Sequence, residues 1–267
     1  LPEIDGDAKP ISGEDLDLLL DTARRAGVIA MEFFGQDPQV WMKGGTSPVS
    51  EADYAVDRFM RETLLEARPD YGWLSEETAD DLSRLQKRRT FVVDPIDGTR
   101  AFLAGKSTWC VAVAIVETGR PVAGVLECPA EQETYWAAAG AGAFCNDKHI
   151  HVRQEAPHNI AGPKTLVERL PQTWLDQLEL YGYVPSLAYR LALIAAGRLD
   201  ASFVKPNSHD WDIAAADLIL REAGGSLLDD RGQFPGYSEE KVRHGALCAG
   251  SGELLGAMAD VLKGRPD

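Results

Sequence analysis

An α+β fold in two closely joined halves is predicted, from three observations. Near the start, two stretches repeat their apolar residues at helical spacing, Leu16 to Phe33 and Ala55 to Leu65. Between Phe91 and Ala138 the apolar residues form blocks of strand length separated by turns, as in an antiparallel sheet. Beyond Thr173, helical and strand patterns alternate. With 267 residues and 45% hydrophobic content, the chain can bury a sizeable core. The seam is expected near residues 154–163, where Pro157, Gly162 and Pro163 cluster, which divides the chain into 1–155 and 156–267.

In order along the chain, Ser12 reads as the N-cap of a first helix, with Glu14 and Asp15 in its first turn and Gly35 at its end. Lys43 to Pro48 is a flexible, turn-rich segment. Ser50-Glu51-Ala52-Asp53 has the form of a capping sequence for a second helix that ends near Arg68-Pro69. Gly72 to Ser75 is a short strand ending in the acid pair Glu76-Glu77. Trp109 to Glu117, Val122 to Cys128 and Glu133 to Ala138 are strands, and a hairpin turns around Asn146-Asp147. Gly140-Ala141-Gly142 is a tight turn and not a nucleotide loop, because no helix follows it. Helices are predicted at Thr173–Leu180, Ser186–Ala196, Trp211–Ala223 and Gly252–Leu262, and strands at Leu199–Val204 and Ser226–Leu228.

Composition excludes several functions. A net charge of -15 disfavours a nucleic-acid partner. No apolar run approaches the ~18 residues of a membrane span, and no secretory signal is visible. Cys110, Cys128, Cys145 and Cys248 lack metal-type spacing and read as free buried thiols of a reducing cytoplasm.

The chemistry gathers at Phe91-Val92-Val93-Asp94-Pro95-Ile96-Asp97-Gly98-Thr99. Three apolar β-formers make a buried strand, and Pro95 is expected to take the chain out of the sheet. Gly98 lets the backbone approach a ligand, and the helix start after it can face an anion. Two acids at a strand end beside such a helix start suit a metal and a phosphate together. Asp53 reads equally as a first-turn acid complementing the helix dipole or as part of this site. Asp212, before Ile213-Ala214-Ala215-Ala216, reads as a helix cap or a ligand. The small residues after it suit either close packing or room for a ligand.

Asp94-Pro95-Ile96-Asp97-Gly98-Thr99 with Phe102 resembles the signature of the inositol monophosphatase family of Mg²⁺-dependent phosphatases. Trp211-Asp212-Ile213-Ala214-Ala215 followed by Glu222-Ala223-Gly224-Gly225 resembles its second signature, and Ser75-Glu76-Glu77 its upstream acid pair. The resemblance implies a layered α-β-α-β-α fold in a homodimer, with two or three Mg²⁺ per site, lithium sensitivity and a cytoplasmic setting. It implies metal ligation by Glu76, Asp94, the Ile96 carbonyl, Asp97 and Asp212. Catalytic roles fall to Glu76, Thr99 and Asp97, with Glu76 and Thr99 orienting the attacking water. Phosphate contacts fall to Gly98 and Thr99, and supporting roles to Asp53 and Glu77. The donors are hard oxygens, as Mg²⁺ prefers, and a carboxylate cluster so crowded makes sense only with cations between its members.

Departures from the family pattern bear on the substrate, a small phosphorylated metabolite. Inositol-preferring members carry an acid shortly before the Trp-Asp signature, where this chain reads Val204-Lys205-Pro206-Asn207. Ser47-Pro48-Val49 and Pro185-Ser186-Leu187-Ala188-Tyr189-Arg190 look more like the family's 3'(2'),5'-bisphosphate nucleotidases. Arg190 is expected either to meet a second phosphate or to be an ordinary helix-surface arginine. Ser186, Arg190, Lys205 and His209 are thus the expected substrate contacts. An inositol 1-phosphate-like substrate leads, with phosphoadenosine phosphate and histidinol phosphate as alternatives.

Overall fold

A computed structural model describes residues 13–44 and 47–264 of the chain; Ser12, the expected first cap, lies outside them. The first helix, α1 (Gly13–Phe33), ends before Gly35, whose φ is +74°. A hairpin of β1 (Val40–Lys43) and β2 (Ser47–Ser50) follows, where a flexible segment is predicted. Next come α2 (Glu51–Ala67), β3 (Gly72–Ser75), a 3-10 turn at Ser83–Gln86 and β4 (Arg89–Asp97). After α3 (Thr99–Leu103) the chain runs through β5 (Cys110–Glu117), β6 (Arg120–Cys128), β7 (Glu133–Ala138), β8 (Gly142–Cys145) and β9 (Lys148–Ile150).

The remaining elements are β10 (Asn159–Ala161), α4 (Lys164–Val167), α5 (Gln172–Leu175), β11 (Glu179–Leu180), α6 (Leu187–Ala195), β12 (Ala201–Val204), α7 (Asp210–Glu222), β13 (Ser226–Leu228), β14 (Leu247–Gly250) and α8 (Gly252–Leu262). The helix predicted over Thr173–Leu180 is shorter. It stops at Leu175, and the chain then pairs with β10 in parallel, Tyr181 N donating to Ile160 O at 2.9 Å.

Two sheets organise these elements. β3 to β9 form a seven-stranded sheet in chain order, and the other has the order β11-β10-β12-β14-β13. Residues 155 and 156, the predicted division, lie between the last strand of the first sheet and the first central strand of the second. Helices α1 and α2 pack on one face of the larger sheet and α6 and α7 on the other; α6 and α7 also reach the smaller sheet, against which α8 packs. The layers are therefore α-β-α-β-α.

Strand alternation builds the cores between them. Along β5, Val111, Val113 and Ile115 join the cluster under α1 and α2, while Cys110, Ala112, Ala114 and Val116 join the one under α6 and α7. In the smaller sheet, Phe203 and Cys248 pack toward Leu254, Leu255 and Met258 of α8, and Val204 and Leu247 face the central layer. The small residues after Asp212 serve close packing: a Cβ on Gly124 would sit 2.9 Å from Ala215 Cα and O, so β6 and α7 meet backbone to backbone.

Candidate active site

Pro95 does not take the chain out of the sheet. β4 pairs with β5 from Arg89 through Asp97, and the register shifts between Asp94 and Asp97. The residue that cannot donate sits in a bulge, which re-aims the two acids on either side of it. Within that bulge Ile96 N donates to Asp94 Oδ1 at 3.0 Å. Parallel pairing of β3 with β4 brings Ser75 opposite Val93, and Glu76 N donates to Val93 O at 3.3 Å. Glu76 therefore emerges beside Asp94. Asp212 arrives from the first turn of α7, its Oδ2 accepting from His209 N at 2.7 Å.

Glu76, Asp94 and Asp212 each present an oxygen, and these atoms lie within 4.8 Å of one another. Asp97 lines the same cleft, together with Ile96, Gly98 and Thr99, in a space of about 160 Å³. One of its oxygens is already committed: Oδ2 accepts from Ser186 Oγ and from Ala188 N, both at 2.6 Å. Thr99 Oγ1 lies 3.1 Å from Ile96 O and 3.3 Å from Asp53 Oδ1. Asp53 Oδ2 accepts from Ser50 N and Ser50 Oγ at 2.8 and 2.6 Å. Asp53 is thus both the helix-start acid and a neighbour of the site.

Burial and mutual repulsion dominate the electrostatics. Asp94 is held well above the ordinary carboxyl range by burial, then by Glu76, Asp97 and Asp212. Asp212 is raised well above it by burial and then by Asp97. Glu76 and Asp97 are also raised, chiefly by burial. Lys43 and Arg190 only partly offset this charge, and the groups stay raised; the donors are oxygens alone, so the set fits a hard divalent cation such as Mg²⁺.

Lys43 approaches the cluster from the end of β1. Lys43 Nζ lies 2.5 Å from Glu77 Oε1 and 3.6 Å from Glu76 Oε1, and it donates to Glu76 O at 3.3 Å. Burial drives Glu77 up to about 7 although the Lys43 hydrogen bond opposes it. Lys43 was not foreseen, because nothing in a lysine before a glycine turn marks it as a partner of acids 33 residues later.

A second cavity, of about 610 Å³, opens off the cleft and shares Arg100, Tyr183, Pro185 and Asp212 with it. Arg190 and Lys205, two of the expected substrate contacts, line it with Asn207, Ser208 and Phe203. Arg190 is not an ordinary surface arginine: its buried Nε has no hydrogen-bond partner among the described residues. Two expected substrate contacts belong elsewhere. Ser186 is fully buried as the N-cap of α6, donating to Asp97 and accepting from Tyr189 N at 3.0 Å. His209 lines neither space; it is the N-cap of α7, and its ring stacks on Trp211 with centroids 4.6 Å apart. Tyr183, 82% exposed on the shared rim, has no sequence signal at all.

A five-layer α-β-α-β-α frame with an oxygen-only acid cluster at a strand end defines a metal-dependent phosphatase class. The chain belongs to the inositol monophosphatase family, whose model matches residues 14–263. It is 33% identical to an inositol-1-monophosphatase of Rhizobium meliloti over 261 residues, 93% of this chain and 96% of that one. It is 34% identical to a histidinol-phosphatase of Mycobacterium tuberculosis over 238 residues, 81% and 88% of the two chains. The structure of the extragenic suppressor protein suhB from Bartonella henselae matches with a TM-score of 0.81 at 28% identity, covering 94% of this chain and 99% of that one. The chain is accordingly a phosphoric monoester hydrolase of that family, which is typically Mg²⁺-dependent.

Proposed function

We propose that the chain releases phosphate from a small phosphomonoester of the inositol 1-phosphate kind, with Mg²⁺ held by Glu76, Asp94, the Ile96 carbonyl, Asp97 and Asp212. The observation that carries this reading is the meeting of Glu76, Asp94 and Asp212 oxygens within 4.8 Å. Bound Mg²⁺ supplies Lewis-acid polarisation of the phosphoryl group and lowers the pKa of water. The rest falls to the chain. Glu76 accepts a proton from the attacking water, and the Thr99 hydroxyl, tied to Ile96 O and Asp53, orients it. Gly98 and Thr99 line the cleft where the phosphate sits. The leaving alcohol lies in the larger cavity, where the Asn207 amide on the wall suits hydrogen bonds to hydroxyls.

One observation favours a second reading. Arg190 lines the cavity, its buried Nε without a hydrogen-bond partner, and Lys205 lines it too, while Asp212 is the one acid in the lining among the described residues. A leaving group with its own phosphate, as in phosphoadenosine phosphate, would meet those cations. The relative named histidinol-phosphatase adds histidinol phosphate as a further alternative. On the family resemblance we also infer two or three Mg²⁺ per site, lithium inhibition, a homodimer and a cytoplasmic setting. No helix among the described residues is long and apolar enough to cross a membrane.

Phosphate release with Mg²⁺ across inositol 1-phosphate, phosphoadenosine phosphate, histidinol phosphate, fructose 1,6-bisphosphate and NADP tests the choice. Highest kcat/KM on inositol 1-phosphate supports the first reading, and a strong preference for a two-phosphate substrate replaces it with the second.

A further inference from the structure

The start of α7 is held by more than its cap. Asp210 is wholly buried, and both of its carboxylate oxygens are engaged from a distant loop. Its Oδ1 lies 2.7 Å from His244 Nε2, and its Oδ2 accepts from Ser238 N at 2.6 Å. The backbone laces the same two segments. Asp210 N donates to Val242 O at 2.9 Å, His244 N to Ser208 O at 2.8 Å, and Asn207 N to His244 O at 2.9 Å. The His244 side chain is only 10% exposed and packs 5.7 Å from the Tyr237 ring.

The segment so fastened carries two parts of the site. Asn207 and Ser208 are on the wall of the larger cavity, and Asp212 stands two residues beyond Asp210 on the first helical turn. Bonds to both oxygens of one buried carboxylate fix its orientation, and ligand orientation of this kind tunes a metal site from outside it. We propose that His244, acting through Asp210, is a positioning residue: it sets where Asp212 offers its oxygen and where Asn207 meets the leaving group. The inference rests on the proposed function of the Glu76, Asp94 and Asp212 cluster.

The test uses the full chain and its His244→Ala, His244→Gln and Asp210→Asn variants. Calorimetry reads Mg²⁺ affinity without substrate, and phosphate release from inositol 1-phosphate and from p-nitrophenyl phosphate reads kcat and KM. Expected for His244→Ala is a Mg²⁺ affinity weakened about tenfold or more, with a raised KM for inositol 1-phosphate. His244→Gln, whose amide can reach Asp210, should recover most of both. Tyr237→Phe removes the neighbouring bond to Asp217, 2.9 Å long, and should lower Tm while leaving Mg²⁺ affinity in place. If His244→Ala does not fold, Asp210→Asn decides, with the same weakening expected. Wild-type Mg²⁺ affinity and KM in the folded variant overturn the inference, and so does a Tyr237→Phe loss as large as that of His244→Ala. A wild-type chain that neither binds Mg²⁺ nor releases phosphate overturns the functional reading beneath it; an active wild type with an indifferent His244 overturns only the positioning role.

Discussion

Ser186 Oγ donates to Asp97 Oδ2 across 2.6 Å, joining the first turn of α6 to the bulged end of β4. Ala188 N reaches the same oxygen, so the helix start and the serine together hold one side of the carboxylate and leave the other to the cleft. Removing a hydrogen bond to a charged group costs about 1.5–3 kcal/mol, and disturbing a ligand's supporting contacts costs about 10–100-fold in metal affinity or activity. Ser186→Ala should stay folded and require roughly tenfold more Mg²⁺ for half-maximal phosphate release. Ser186→Thr should keep most of the activity. An unchanged Mg²⁺ requirement in Ser186→Ala would remove Asp97 from the metal account.

Gly98 sits against the same serine. Its φ is +94°, and an added Cβ would lie 3.1 Å from Ser186 Cβ and 3.3 Å from Ser186 Cα and N. Gly98→Ala therefore combines backbone strain with pressure on the α6 start. It should destabilise by about 1–3 kcal/mol and lower kcat, measured by urea unfolding and phosphate release.

The acid cluster makes stability depend on pH and Mg²⁺ together. Burial and neighbouring charge raise Asp94 and Asp212 above the unfolded value of about 3.9. Without metal, a raised carboxyl contributes stability that is full below the unfolded value and is lost as pH rises through the folded one. Metal binding runs the other way, because it displaces those protons. The Tm increase on adding Mg²⁺ should thus be larger at pH 8 than at pH 6. Calorimetry in two buffers of different ionisation enthalpy should register proton release on binding; equal heats in both would contradict the cluster's protonation.

Glu117 has the opposite sign. Burial alone would raise it, but hydrogen bonds from Arg88 and Arg89 outweigh burial and hold it below the usual range. Its contribution is present above the unfolded value of about 4.3 and is lost as pH falls through the folded one. Glu117→Gln should lower Tm at pH 7, and the gap to wild type should close as pH falls toward about 3. A gap independent of pH would assign the loss to packing.

How much of this was legible depended on whether a signal is local. The Asp94 to Thr99 corner, the acid pair at Glu76 and the Asp212 helix start each rest on neighbouring residues, and the structure brings all three together. The alternating cores were not legible: Val111 to Val116 is an unbroken apolar run, which marks a buried strand without telling which side chains meet which helix layer. Strands β10, β11 and β14 escaped because they have only three, two and four residues and are defined by partners far along the chain. Pro95 misled because a bulge tolerates what a regular ladder does not. Ser186 and His209 were expected as substrate contacts, whereas in the structure they are the N-caps of α6 and α7: sequence spacing does not tell whether a side chain caps its own helix or faces a cavity. Lys43 and His244 act through contacts 33 and 34 residues away, which no local pattern encodes.

The central claim is that these carboxylates form a Mg²⁺-dependent phosphatase centre. Its most direct test is phosphate release from inositol 1-phosphate as Mg²⁺ is varied, in the wild-type chain and in Asp94→Asn and Asp97→Asn. The account predicts Mg²⁺-dependent turnover in the wild type and background release in both variants, with each variant still unfolding cooperatively on heating. Near-normal, Mg²⁺-dependent turnover in either variant would contradict it.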